Sequence, residues 1–153
     1  MTRTIQQLFD LQGKTALITG GSRGLGLQLL AGRMTATMVR AQQQAGLAPY
    51  AAQLAQALQQ VGAATRAAWS TGQPGEALAN AVPYMQAFGH TVLAWIWLDV
   101  ALAAQAGAPD AGNRGRLLSA QYFFRYELPK IGAWLKVVES RDMTCADFPE
   151  EAF

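Results

Sequence analysis

The densest run of potential chemistry is Thr19-Gly-Gly-Ser-Arg-Gly-Leu-Gly26, a T-G-x-x-x-G-x-G pattern directly after the strand-like Thr15-Ala-Leu-Ile-Thr19. Glycines at such a turn let the main chain approach a pyrophosphate. A helix opening at Gly24 or soon after would add free N–H groups and positive potential. Gly20, Ser22, Arg23, Gly24 and Gly26 are therefore candidate cofactor-binding residues. The loop keeps its shape only if the strand has neighbours, because a lone strand leaves its backbone groups unpaired. No second β-branched run bounded by turns follows it.

The remaining reactive side chains are few. His90 follows Gly89 in an apolar run with no carboxylate at helical spacing to orient it, which favours a core histidine hydrogen-bonded to a neighbour over a proton shuttle. Asp99 lies among Trp, Leu and Val, so burial would demand a partner, for which Arg116 or Arg125 on a facing helix would serve. The basic set Arg114, Arg116, Arg125, Lys130 and Lys136 could hold a phosphate, or be solvated or paired with the acidic tail of Asp147, Glu150 and Glu151; the tail is preferred. Tyr126 and Lys130 stand four apart across Pro129, a spacing that arises readily by coincidence. No catalytic residue is assigned; these two are the weak candidates. One cysteine, Cys145, excludes an internal disulfide, lacks a visible activator and suits a reducing compartment. With one histidine as well, no metal site is expected.

The elements that must position these groups are helical. Beyond residue 30 the chain is rich in Ala, Gln and Leu, all good helix formers. Leu47, Tyr50, Leu54, Ala57, Val61, Ala64 and Ala68 form one stripe at helical spacing, closed by Gly72, Pro74 and Gly75. A second stripe runs Leu78, Met85, Phe88, Val92, Trp95, Asp99 and Leu102, with a kink or a late helix start expected at Pro83. After a loop over Gly107 to Asn113, a third runs Leu117, Gln121, Phe124, Leu128, Ile131, Leu135 and Val138, with a bend expected at Pro129. Three long helices and short loops predict a mainly α, antiparallel bundle. Trp95, Trp97 and Trp134 are expected to supply large buried area. Trp95 and Trp97 cannot share a face, so the second helix is apolar on two sides and predicts a partner surface.

Composition narrows the classes. The 153 residues are 51% hydrophobic and only 14% charged, which excludes global disorder. A net charge of +2 gives no reason to expect nucleic acid. The longest apolar stretch, Thr91 to Ala106, is shorter than a bilayer requires and carries Asp99, so no membrane span is expected. The polar start Met1-Thr-Arg-Thr-Ile-Gln-Gln has no signal-peptide core, and a cytoplasmic location is expected.

Two resemblances add to this reading. Phe9-Asp-Leu-Gln-Gly-Lys-Thr-Ala-Leu-Ile-Thr-Gly-Gly-Ser-Arg-Gly-Leu-Gly26 resembles the first βα unit of short-chain dehydrogenase/reductases, over about residues 9–28. That likeness implies a cofactor loop at Gly20, Gly24 and Gly26, with Arg23 favouring the 2′-phosphate of NADP. It also gives Tyr126 and Lys130 the look of the family's acid/base pair. The family's further strands and its Asn-Asn-Ala-Gly signature are missing. From about residue 29 to 153 the chain resembles the C-terminal helical extension of a subgroup of acyl-CoA dehydrogenases, on Glu76 to Leu98 (Asn80, Pro83, Tyr84, Gly89, His90 and Trp95 together) and on Arg116 to Trp134. That family uses FAD and a glutamate base, both belonging to upstream parts this chain lacks, so no catalytic residue carries over.

The two likenesses describe a join near Gly26 to Gly32, from a natural fusion or an artificial chimera. Residues 1–30 would be a truncated reductase-like segment, loosely ordered or adding a helix to the bundle. Residues 31–153 would be the helical domain. The expected role is packing or oligomerisation, as a homo-oligomer or with acyl-CoA dehydrogenase-type subunits; the alternative is a remnant NADP-binding reductase. FAD and NADP are implied only by the parent families, and none is expected on the isolated chain.

Overall fold

The computed structural model describes residues 25–149 and Glu151, with side chains from Leu30 onward. The chain divides into two compact units, residues 1–33 and 34–153. Its elements are helices: α1 Leu25–Gln42, α2 Ala48–Ala68, the short α3 Pro74–Ala79, α4 Ala81–Ala106, α5 Ala111–Tyr122, a widened π turn Phe123–Glu127, a 3-10 turn Leu128–Lys130, and α6 Ile131–Ser140. No strand occurs among the described residues, and the fold is mainly α. The strand-like Thr15–Thr19 and the glycine loop lie outside the described residues except for Leu25 and Gly26. The described helix opens at Leu25, where the sequence pattern places a helix start.

The breaks follow local chemistry. Pro49 stands in the first turn of α2, where a missing N–H costs nothing. Gly72 takes φ +71°, a left-handed conformation that a side chain disfavours, and reverses the chain after α2. Pro83 is accommodated by a late start: α3 stops at Ala79, and α4 begins at Ala81 with the proline in its first turn. The Asp110 carboxylate accepts from the Asn113 backbone N–H at 2.7 Å and caps α5. Pro129 does bend its helix. The wide turn Phe123–Glu127 and the 3-10 turn that contains the proline interrupt the α geometry before α6 resumes. Arg141, at φ +54°, ends α6.

The core of the second unit lies where α2, α4 and α6 meet, with α5 closing against α4. The α2 stripe is largely as the spacing predicts. Leu47, Leu54, Ala57, Val61, Ala64 and Ala68 are buried, Ala51 joins them, and Tyr50 is half-buried. The third stripe holds through its bend. Phe124, Leu128, Ile131, Leu135 and Val138 are buried, and the Tyr50 and Phe124 rings stack 4.7 Å apart.

The stripe expected on α4 is displaced. Its buried residues are Ala87, Thr91, Ala94, Leu98, Ala101 and Ala104. Leu78 and Met85 are about 60% exposed, while Phe88, Val92, Trp95 and Leu102 flank the contact instead of forming it. Small side chains on the line of closest approach let α4 sit near its neighbours, and the large ones fill the margins. For the same reason Trp95, Trp97 and Trp134 are half-buried, packed against the edge of the core.

Candidate functional site

Three features of the second unit bear on function. The first is a polar link from α1 to α4. Arg40 Nη2 donates to Asp99 Oδ1 at 2.6 Å, and Trp95 Nε1 donates to Thr37 Oγ1 at 2.9 Å. Asp99 was expected to be buried against Arg116 or Arg125. It is instead half-exposed and paired with Arg40, because it lies beyond the buried face of α4. An exposed ion pair of this kind adds little to stability.

The second feature gathers around the π turn. His90 Nδ1 lies 3.1 Å from the Gln86 carbonyl, which makes it a partnered helix residue as the sequence suggested. Its ring meets Trp134 edge-on at 4.7 Å, and its Nε2 stands 3.8 Å from Glu127 Oε2. That carboxylate comes from another element, so helical spacing along α4 could not reveal it. Glu127 is bound more closely by Lys130 Nζ, at 2.6 Å, and accepts from the Tyr122 hydroxyl at 3.3 Å. The Lys130 hydrogen bond is the main reason the Glu127 carboxyl titrates below its ordinary range. A carboxylate held ionised in this way is a poor proton donor.

These contacts locate the two weak catalytic candidates. Lys130 is engaged by Glu127, and Tyr126 is exposed and stacked on Tyr122 at 5.1 Å. Nothing in this arrangement directs the ammonium to the phenol. Of the basic set, Arg116 donates to Asn113 Oδ1 at 2.8 Å, and Arg125 approaches Gln121 when the amide oxygen faces it, at 2.9 Å. No ion pair from this set to Asp147 or Glu151 occurs among the described residues, whereas Lys130 pairs with Glu127. Local partners one turn away displaced the distant acidic tail. Cys145 is exposed, and no group of three or more metal-ligating side chains occurs among the described residues.

A further polar clamp holds the end of the bundle. Asn80 Nδ2 donates to the Asp142 carbonyl at 2.9 Å, Arg141 reaches Ser70 and Glu76, and Thr65 shares a hydrogen bond with the Tyr84 hydroxyl. Every buried side-chain N or O atom among the described residues has a partner. No orphaned polar group therefore marks a ligand.

The third feature is a surface. On the side of α4 away from the core, Val82, Met85, Gly89, Leu93, Ile96, Val100 and Ala103 follow one another at helical spacing. Val82 is 71% exposed, Met85 60%, Leu93 44% and Ile96 46%. Beside this stripe a groove of about 460 Å³ is lined by Trp97, Leu118, Ser119, Tyr122 and Phe123. Exposed apolar surface on this scale usually marks an interaction site. Sequence reasoning found the two-sided apolar character of the helix but assigned the sides wrongly.

The helix is also longer than its apolar run suggests. With 26 residues and one charge, Asp99, α4 alone is long and apolar enough to cross a membrane by length and composition. The length argument against a span does not stand, although the small-residue face of α4 is spent on the bundle.

An all-helical bundle with a packed core and an exposed apolar helix face defines a helical packing module. Residues 30–149 match the family described as acetyl-CoA dehydrogenase C-terminal like, and the chain belongs to that family. The match covers the helical resemblance and leaves the reductase-like stretch, residues 9–28, outside it. Comparisons with curated proteins and with solved structures returned no match.

Proposed function

We propose that this chain acts by packing and not by chemistry of its own, as a helical C-terminal module of the acyl-CoA dehydrogenase type that self-associates. The carrying observation is the outer face of α4, where Val82, Met85, Leu93 and Ile96 stay exposed after the bundle is complete. Covering these side chains removes apolar surface from water at no loss of hydrogen bonds, the usual driving force of association. Family membership supports the reading, as does the engagement of Lys130, Glu127 and His90 with one another and with local partners. In this reading the isolated chain needs neither FAD nor NADP, and its exposed Cys145 suits a reducing cytoplasm.

Sedimentation velocity at tens of micromolar tests the proposal. A dimer or larger species is expected, and a strictly monomeric chain would remove it. The cofactor side is checked by the colour of the purified protein and by titrating NADPH. A colourless protein without a fluorescence response is expected. Saturable micromolar binding that Gly24→Asp abolishes would replace this reading with the reductase one.

A further inference from the structure

The packing face carries a feature that fixes how two copies would meet. Gly89 sits in the middle of the exposed stripe, and a Cβ built on it meets nothing within 4 Å. On the helix surface its neighbours are Met85, Gln86, Val92 and Leu93, one turn before and after. The result is a notch beside a ridge, with Leu93 the ridge residue one turn further on. Notch and ridge on a single face form a self-complementary pair, the requirement of a two-fold interface, in which residue i meets the partner's j and j meets the partner's i.

We infer that two copies pair through antiparallel α4 helices, with Leu93 of each seated in the notch at the partner's Gly89. This rests on the packing reading above and adds its register. The axis then passes between Gly89 and Leu93, and the other stripe residues follow. Met85 falls opposite the partner's Trp97, at the mouth of the groove lined by Leu118, Tyr122 and Phe123. Val82 falls opposite the partner's Val100. A flexible thioether against an aromatic wall is a favourable contact.

Two properties of the face favour a second copy as its occupant. Between Val82 and Leu98 the helix has no charged residue, and Asp99 is turned to Arg40, so identical faces meet without like-charge conflict. The exposed parts of Val82, Met85, Leu93, Ile96, Leu118 and Tyr122 are all large. With the smaller side chains around them they offer an area on the order of the roughly 800 Å² per partner of a standard interface.

Sedimentation equilibrium on the full chain tests the register with three proteins. Gly89→Leu fills the notch without touching the fold, since its space is open and leucine is the better helix former. It is expected to raise the dimer dissociation constant tenfold or more while helical circular dichroism is kept. Gly89→Leu combined with Leu93→Ala exchanges ridge and notch, and is expected to restore most of the affinity, which a purely structural effect would not do. A wild-type dimer that Gly89→Leu leaves unchanged, or that the exchange fails to rescue, overturns the register but leaves the packing reading standing. A wild-type monomer overturns both, and its co-sedimentation with phosphatidylcholine vesicles would assign the face to lipid.

Discussion

Helices α4 and α6 are both strongly apolar, yet they use their large residues in opposite ways. α6 buries Ile131, Leu135 and Val138 and turns Lys136 and Glu139 outward. α4 buries mostly alanine and leaves Val82, Met85, Leu93 and Ile96 outside. In α6 size and burial coincide, so hydrophobic spacing locates the core. In α4 closeness to its neighbours outweighs side-chain volume, so the heaviest stripe is a margin and a surface. A helix packed through alanines has spent little of its apolar area on the fold, and the remainder is available for association.

The contrast can be broken most forcefully where the large residues of the α6 side meet the core. Phe124 is 1% exposed and stacked on Tyr50, and Phe124→Ala is expected to cost about 3–5 kcal/mol in urea unfolding. On the α4 side the sensitive change is enlargement. Ala94 is fully buried on the contact line, so Ala94→Leu is expected to destabilise by about 1–3 kcal/mol through overpacking. A neutral Ala94→Leu would mean that α4 is not held as closely as its alanines imply. Ile96→Ser on the outer face is expected to change monomer stability by less than about 0.5 kcal/mol while weakening association.

The smallest expected effect concerns acid. Glu127 titrates below its ordinary value of 4.5 because Lys130 hydrogen-bonds its charged form. A depressed carboxyl stabilises the fold above the unfolded-state value and loses that contribution as pH falls through the folded-state value. Glu127→Gln should therefore lower Tm slightly at pH 7 and converge with wild type below about pH 4. Parallel Tm curves across that range would show that the Lys130 contact does not persist in solution.

Much of the helical frame was legible from residue types alone. Stripes on α2 and around Phe124 to Val138 stood out because large aliphatic residues recur there at helical spacing, and Pro83 and Pro129 announced their irregularities. The inner face of α4 was not legible, since alanine carries a weak hydrophobic signal and Thr91 a polar one. Thr91 satisfies its hydroxyl on the Ala87 carbonyl at 2.9 Å and so enters the core like an apolar residue. The partners of Asp99 and His90 were hidden for another reason. Arg40 and Glu127 lie on other elements, and sequence distance carries no information about which helices face each other. The glycine loop of Gly20, Ser22, Arg23, Gly24 and Gly26 falls on residues outside the described structure apart from Gly26, whose side of the helix start is all that can be placed.

The widened turn at Phe123–Glu127 has a consequence for which length changes the chain can accept. A π turn holds one residue more than the α turn it replaces. Removing a single residue there would restore regular helix and rotate everything that follows by about 100° about its axis. Ile131, Leu135 and Val138 would swing off the core together, and Lys136 or Glu139 would swing toward it. A one-residue deletion in this turn should thus be far more damaging than the same deletion in the exposed loop between α4 and α5, where no downstream phase is at stake. Among related sequences, gaps should collect in that loop and avoid the turn.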